Sequence, residues 1–500
     1  MKKADWFALF LSIAAFFAAY YVSAAIYQKT PHIEDEITYV WQARLAAAGR
    51  ITIDSPVCPS CFLEPFIIDK DGQRFGKYPP GWPAVLSLGI RLHARNFVNP
   101  FLSALFVWFN YLLVKKLLDR AAGLIAAGLT VLSPFFLMNS GTLLAHPWSL
   151  LMAVVFTLAW LDSLNPSPPA PRWMTTSAAI GSMGMLILTR PLTAVGICLP
   201  FFIHGLFVLI RGHSRQKVTV LLIGLGAAIF SGLYLLWQYR VTGDFLQNPY
   251  ELYWPYDRIG FGPEVGLNVG GHQLKYALIN TKFSLRVGFS DLFGWPLISW
   301  LFMPFGLFAL RKKPTALLAS SVFFSLVLAY GLYWIGSWLV GPRYYYEGFF
   351  SLTLLTAAGV RFLAGQISTA VGKLHRLHQA RFVITMSVLG ILITGNLLFF
   401  LPLRIGGLKG LYGIRAEQMA PFESEDARRL APALVFVQPE RYWLEYGVLL
   451  DLSSPLLDTP FIFAYDRGPR YNQIVIDAYP ERTVIYYHPQ EPYTFYIPAD

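Results

Sequence analysis

Two adjacent carboxylates, Asp35 and Glu36, stand in the stretch His32-Ile33-Glu34-Asp35-Glu36-Ile37-Thr38-Tyr39. Such a pair suits proton transfer: one carboxylate takes the proton of an attacking hydroxyl while its neighbour orients a substrate or the loop. Further along, single cationic or imidazole side chains recur beside aromatic and proline residues. They are Lys77 in Arg74-Phe75-Gly76-Lys77-Tyr78-Pro79, His146 before Pro147, Arg190 in Thr189-Arg190-Pro191, and Arg343 in Gly341-Pro342-Arg343-Tyr344. Cations collected around a carboxylate suit an anionic substrate whose charge they hold while the acid handles a proton. Phosphate is the obvious anion at a membrane surface.

Whether these residues can meet depends on the elements that carry them. The chain has 500 residues, of which 55% are hydrophobic, 16% aromatic and only 14% charged. So apolar a composition is rare in a soluble protein of this length and marks an α-helical polytopic membrane protein. Residues 6–27 form an apolar run long enough to cross a bilayer, and Lys2 and Lys3 precede it. The N-terminus is therefore expected in the cytoplasm and Asp35 on the far face. The run is longer than a signal-peptide core and Val22-Ser23-Ala24 is a poor cleavage site, so an uncleaved anchor is expected. The net charge of +11 comes from Lys and Arg gathered in short clusters between apolar runs. That is the signature of cytoplasmic loops, and no nucleic-acid partner is expected.

Apolar runs between basic clusters predict about eleven spans: 6–27, 97–114, 121–138, 147–161, 173–189, 191–210, 218–237, 295–310, 315–334, 344–363 and 382–401. Lys115-Lys116, Arg211 with Arg215, Arg311-Lys312-Lys313, and Arg361 with Lys373 mark turns on the inner side. Residues 28–96 then form an external loop, with amphipathic stretches near 34–48 and 82–93 that suit the interface. Residues 238–294 form a second, polar external loop. An odd number of spans places 403–500 outside as well. There 434–437, Phe461–Tyr465 and 484–487 read as short buried strands of a small α/β domain. The chain thus divides into a transmembrane domain, 1–402, and a small extracytoplasmic domain, 403–500. Cys58-Pro59-Ser60-Cys61 has no second CxxC to complete a zinc site, so a local disulfide is expected, while Cys198 in an apolar span reads as packing.

On this topology every residue singled out above falls on the external side. The chain resembles the GT-C membrane glycosyltransferases, nearest to the branch with the lipid A aminoarabinose transferase and the protein O-mannosyltransferases. The resemblance rests on four motifs in order over residues 1–400. They are Asp35-Glu36-x-x-Tyr39 after the first span, Lys77-Tyr78-Pro79 before the second, Thr189-Arg190-Pro191 ending the fifth, and Gly341-Pro342-Arg343-Tyr344 opening the tenth. It implies a GT-C-like fold, a sugar donor linked to a polyprenyl phosphate, and an extracytoplasmic glycan, lipid or protein as acceptor. It also implies that Asp35 is the base, taking the acceptor's hydroxyl proton in a single inverting displacement. Lys77, Arg190 and Arg343 are the expected phosphate clamp, converging on one outward-facing pocket with Asp35 a sugar's width away.

Around that core, Glu36 either hydrogen-bonds a sugar or stabilises its loop, and Tyr39, one helical turn after Asp35, positions it. Tyr78 and Tyr344 are expected to contact substrate, with Tyr78 equally suited to an aromatic belt. His146 stands where related enzymes often carry an acid before proline. It binds phosphate, orients an acceptor or caps a helix, and it makes a two-carboxylate metal site harder to assemble. His272, in Gly270-Gly271-His272, contacts donor or acceptor unless it is a plain loop histidine. Tyr253, Trp254 and Tyr256 suit sugar stacking or interfacial anchoring. No obligatory cofactor is expected, a divalent metal being the unfavoured alternative, and no P-loop or GxGxxG calls for a nucleotide. The competing function is a transporter or flippase of a lipid-linked or anionic substrate. Such a protein should bury ionisable residues at mid-membrane and show repeats or broken helices. Here the polar residues gather at span ends.

Overall fold

The computed structural model of the chain describes residues 2–366, 375–440 and 443–498. Lys373, expected in an inner turn, lies outside this set. The first helix, Lys3–Tyr21, runs on through Val22–Ile26 in π geometry, and Trp6, Phe10 and Phe17 on it are exposed. Large apolar side chains are also exposed along Ser214–Thr242, among them Leu221, Leu225 and Ile229. Such surfaces are unstable in water and natural in lipid.

Among the described residues five helical stretches are long and apolar enough to cross a membrane: Lys3–Ile26, Arg95–Leu117, Pro191–Arg211, Ser214–Thr242 and Gln379–Glu423. A sixth counts if Arg120–Val131 and Pro134–Ser140, bent by 61°, form one span. The bend follows from Ser133-Pro134: the Ser133 hydroxyl caps a new helix by accepting from the Phe136 N–H at 3.1 Å, and proline cannot continue the old one. His146–Ser163, Arg172–Thr189, Pro314–Tyr330 and Phe349–Leu363 are helical where further spans were expected. The expected span 295–310 is different. Only Met303–Leu310 is helical there, since the chain turns at Trp295-Pro296-Leu297 with Leu297 at positive φ. The eleven expected spans are therefore not all full-length helices.

The segment 238–294 also departs from expectation, because it contains the helix Leu274–Asp291 in place of a polar loop. Its buried face is a narrow line of Ala277, Ser284, Gly288 and Asp291, while Lys275, Lys282 and Arg286 are exposed. Leu274, Leu278, Ile279 and Phe283 on the same helix are exposed, so its apolar residues do not mark the buried face and leave little periodic signal.

The helices pack in pairs: Lys3–Tyr21 on Arg95–Leu117, His146–Ser163 on Arg172–Thr189, and Pro191–Arg211 on Pro314–Tyr330. One continuous apolar core joins them. At one end of this bundle, helix Glu34–Ala47 packs on helix Gly81–Arg91. Between these two in sequence, β1 (Ile53–Asp54), β2 (Ile67–Lys70) and β3 (Gln73–Gly76) form an antiparallel sheet in the order β1-β3-β2. Asp71 and Gly72, both at positive φ, make the two-residue hairpin turn from β2 to β3. β3 ends at Gly76 and hands the chain to Lys77 and Tyr78. Gly81 then permits a close approach to the end of Arg172–Thr189: a Cβ there would lie 2.5 Å from Thr189 Oγ1. That contact brings the Lys77-Tyr78 segment to the neighbourhood of Arg190.

The C-terminal strands β4 (Ala433–Val437), β5 (Phe461–Tyr465) and β6 (Thr483–Tyr487) form a parallel sheet in the order β5-β4-β6. Every residue of β4 is buried, as expected of a parallel strand covered on both faces. Val435 and Val437 join a cluster with Tyr446, Leu449 and Ile37, while Leu434 and Phe436 join one with Val475 and Cys61. Cys61 is disulfide-bonded to Cys58. Ile37 belongs to helix Glu34–Ala47, so that helix is packed from both the bundle and the C-terminal sheet.

Candidate active site

Helix Glu34–Ala47 starts at a turn fixed by one side chain. Glu36 accepts from the backbone N–H groups of His32 (2.8 Å) and Ile33 (3.1 Å) through Oε2, and from that of Leu143 (2.6 Å) through Oε1. This is the reach-back of a capping box, extended across to residues 139–146. Burial pushes the Glu36 carboxyl above its ordinary range, although the three N–H donors oppose the shift. Both oxygens are engaged and the side chain does not line the cavity. Of the two parts expected of Glu36, contact with a sugar or stabilisation of its loop, these contacts are those of the second: it ties the turn that carries Asp35 to the bundle.

Asp35, one residue earlier, lines a cavity of about 470 Å³, within the size range of small-ligand sites. Tyr39, Lys77, Tyr78, His146, Arg190, Arg343 and Tyr344 line the same cavity. The Tyr78 hydroxyl donates to Asp35 Oδ1, and Arg343 Nη1 lies 3.5 Å from Asp35 Oδ2. Burial alone would raise the Asp35 carboxyl. The Arg343 guanidinium, the Tyr78 hydroxyl and the charges of Lys77 and Arg190 outweigh it and hold the group below the usual carboxylate range. Asp35 is thus ionised at neutral pH. Tyr78 stays a donor, because burial and the Asp35 charge raise its hydroxyl well above normal. The Tyr39 ring packs on Tyr78 with centroids 4.5 Å apart.

Each of the three cations has a carboxylate partner. Lys77 Nζ lies 3.6 Å from Asp257 Oδ2, and both side chains are buried. Its ammonium sits 3.7 Å from the Phe66 ring centroid, 4.8 Å from Trp254 and 5.0 Å from Tyr250. Asp257 also accepts from the Tyr333 hydroxyl (2.8 Å) and Trp334 Nε1 (3.0 Å). Arg190 Nε lies 3.4 Å from Glu347 Oε1, and its Nη2 donates to the Tyr330 hydroxyl at 2.8 Å. His146 Nδ1 is 3.1 Å from that same Glu347 oxygen, while its Nε2 faces Arg190 Nη1 at 3.4 Å. Tyr344 stacks on Tyr330 with centroids 4.9 Å apart.

One expectation is corrected by this geometry. Asp35 is not a sugar's width from the clamp, because it lies 3.5 Å from Arg343. Each clamp cation is paired, since desolvated charges fold stably only with partners. Lys77 is the most enclosed of the three. Arg343 is the most available: at 3.5 Å its contact with Asp35 is electrostatic, and its buried Nη1 has no hydrogen-bond acceptor among the described residues. His272 is corrected too. It lies off the cavity, fully buried, with its backbone N–H donating to Val265 O (2.6 Å), its Nε2 3.0 Å from Gly331 O, and its ring stacked on Phe261. It ties the segment 238–294 to the end of Pro314–Tyr330.

Glu34, Tyr250, Asp257, Tyr330 and Tyr333 also line the cavity without having been singled out in the sequence, and Glu347 supports it from behind. Two carried a signal. Glu347 lies four residues after Arg343, and Asp257 follows the aromatic run Tyr253-Trp254-Pro255-Tyr256. Tyr330 carried none. Among the described residues no three His, Cys, Asp or Glu side chains are grouped to hold a metal ion.

No protein-family model and no curated protein sequence matches the chain. Solved structures do. The crystal structure of ArnT from Cupriavidus metallidurans in the apo state is similar over 97% of this chain and 90% of that one, with a TM-score of 0.59 at 13% identity. The structure of ArnT bound to undecaprenyl phosphate gives 0.58 at 12% identity, over 97% and 93%. The apo oligosaccharyltransferase of Archaeoglobus fulgidus gives 0.54 at 12% identity, over 97% of this chain and 69% of that one. The chain has the GT-C fold. Identities this low carry the fold alone, and the chemistry must be argued from the residues. The cavity lies at the end of the bundle that bears residues 28–96, and Tyr412, within the stretch Gln379–Glu423, contributes to its wall.

Proposed function

We propose that the protein moves a sugar from a polyprenyl-phosphate donor to an acceptor hydroxyl on the extracytoplasmic side of a membrane. The observation that carries this reading is the pairing of an ionised carboxylate, Asp35, with a buried guanidinium, Arg343, whose Nη1 lacks a hydrogen-bond acceptor among the described residues, on the wall of one cavity. The GT-C fold supports it, and so does the row of aromatic rings along the cavity. Those rings present the flat apolar faces on which pyranose rings stack.

The phosphate engages Arg343 and Arg190, where guanidinium forks match its oxygens. Lys77, enclosed with Asp257, holds the neighbouring loop and contributes its charge at a distance. As Arg343 turns to the phosphate, Asp35 loses the charge that depresses its proton affinity. Donor binding thereby prepares the base. The acceptor oxygen then attacks the anomeric carbon from the face opposite the phosphate, and its proton passes to Asp35 Oδ2 while Tyr78 holds Oδ1. The carbon–oxygen bond to phosphate breaks, its electron pair leaves with the polyprenyl phosphate, and the anomeric centre is inverted. The sugar, hexose or pentose, and the acceptor, glycan, lipid or protein, are set by the remaining walls, and no metal is assigned a step.

The reading includes the topology: an N-terminus in the cytoplasm, eleven crossings, and the cavity and residues 403–500 outside. Purified protein incubated with a panel of polyprenyl-phosphate sugars and simple acceptors tests it by release of polyprenyl phosphate. Release with at least one sugar, abolished in Asp35→Asn, is the expected result. Transbilayer movement of the lipid with no release would establish the flippase alternative.

A further inference from the structure

The C-terminal α/β unit grips the far end of the helix that carries Asp35. Arg44, in the last turn of Glu34–Ala47, donates Nη1 to the carbonyls of Leu450 (3.2 Å) and Ser453, and Nη2 to the Asp451 carbonyl (2.6 Å) and to Asp451 Oδ1 (3.3 Å). The same buried carboxylate takes both guanidinium nitrogens of Arg95, the first residue of the long helix Arg95–Leu117. Arg95 Nη2 also donates to Lys29 O (3.1 Å), just after the first long helix. One aspartate therefore joins the starts and ends of three elements: the Asp35 helix, the membrane helix behind it, and the segment entering from the first helix.

Helix Glu34–Ala47 is thus tied at both ends. Glu36 fixes its first turn to the bundle, while at its last turn Arg44 ties it to the C-terminal unit and Arg91, from the helix packed beside it, donates to Ala47 O at 3.0 Å. Nine residues separate Asp35 from Arg44, roughly 13 Å along the helix axis, and Ile37 between them is part of the C-terminal unit's own core. Without the Arg44 tie only Arg91 and the packing on Gly81–Arg91 set the angle of the last turn, and a shift of that angle displaces Asp35 against Arg343. Nothing in this node touches the cavity.

We propose that Asp451 and Arg44 are positioning residues: the C-terminal unit sets the angle of the Asp35 helix, so turnover depends on docking although the unit itself contributes neither base nor phosphate ligand. The proposal rests on the transferase reading for its kinetic consequence but not for its structural one. Asp451→Asn keeps the side chain's shape and removes the charge shared by the two arginines. Arg44→Lys is the milder variant, since an ammonium cannot bridge three carbonyls and a carboxylate as the guanidinium fork does.

Two readouts test it in the full-length protein in detergent. In Asp451→Asn, amide hydrogen exchange within Glu34–Ala47 should speed by about tenfold or more, while that of Pro191–Arg211 stays unchanged. Affinity for undecaprenyl phosphate should hold within about twofold, and sugar transfer per donor-binding site should fall by about 10²-fold, the usual consequence of a reacting group displaced by an ångström. Arg44→Lys should lie between this variant and the parent. Unchanged exchange in the helix overturns the proposal, as does a loss of donor affinity that matches the loss of transfer, because the node would then merely hold the whole site together. If the parent protein transfers no sugar at all, the transferase reading falls while the exchange result still decides the mechanical coupling.

Discussion

Removing Arg343 should do two separable things, and their sizes follow from its contacts. Its guanidinium lies 3.5 Å from Asp35 Oδ2. At an effective dielectric constant of about 20, two unit charges at that distance interact by about 5 kcal/mol, which favours the ionised carboxyl. Lys77, Arg190 and the Tyr78 hydroxyl remain in Arg343→Ala, and water enters the space left by the side chain, so the net effect should be smaller. We expect the Asp35 carboxyl to rise from its depressed position toward the ordinary carboxylate range. Because the ionised form is the active one, activity is lost as pH falls through this pKa. The acid limb of the kcat/KM profile should therefore move upward in Arg343→Ala. The second effect is on the donor, whose phosphate loses a partner in a desolvated site, at a cost of about 2–5 kcal/mol or at least about tenfold in donor KM. Arg343→Lys should restore most of the acid limb, which needs only a charge, but little of the donor affinity, which needs the fork. Release of polyprenyl phosphate measured across the pH range gives both numbers. An acid limb at the parent's position together with an unchanged donor KM would refute the assignment of Arg343 to either task.

Asp35→Asn should lower turnover by about 10²–10⁴-fold with donor binding intact; near-normal turnover removes Asp35 as the base. Glu36→Gln should act on stability instead, placing an amide N–H₂ against backbone N–H donors, with a loss of about 1–3 kcal/mol seen as a lower Tm and little change per folded molecule. Glu64 lies beside Trp41, Arg44 and Arg74 below the C-terminal unit, and burial pushes its carboxyl up to about 7 against the pull of both arginines. Its folded pKa exceeds its unfolded one, so this part of the stability is full at low pH and declines as pH rises toward about 7, by up to about 1.4 kcal/mol per pH unit. Glu64→Gln should flatten the Tm-versus-pH curve over that interval, and an unaltered slope would show that another group titrates there. For topology, cysteines introduced at the exposed positions Lys313 and Lys409 should react with an impermeant reagent from opposite sides, position 409 in intact cells and position 313 only after permeabilisation.

Much of the bundle was legible in the chain because a membrane imposes a one-dimensional code: apolar length and basic flanks suffice to place most helices. The runs around residues 6–27, 97–114, 191–210 and 218–237 each became a long apolar helix. The C-terminal strands were legible for a similar reason, since a parallel strand buried on both faces is a short continuous apolar run. Asp35, Tyr39, Lys77, Tyr78, His146, Arg190, Arg343 and Tyr344 could be picked because polar residues at span ends are few, and they do share one cavity. What the chain could not declare is pairing. That Lys77 would be enclosed with Asp257, Arg190 with Glu347 and Arg343 with Asp35 depends on contacts across 157 to 308 residues of sequence, and only desolvation in the folded state makes each pairing necessary. Glu36 shows the same limit from the other side: its sequence neighbour is Asp35, but its oxygens face backbone N–H groups, and residue type alone does not distinguish a carboxylate that reacts from one that caps. Composition and periodicity determined which segments form long apolar helices and which few polar residues stand at their ends. Tertiary packing decided which of those residues touch, because the free energy of a buried charge is a property of its partners and not of its place in the chain.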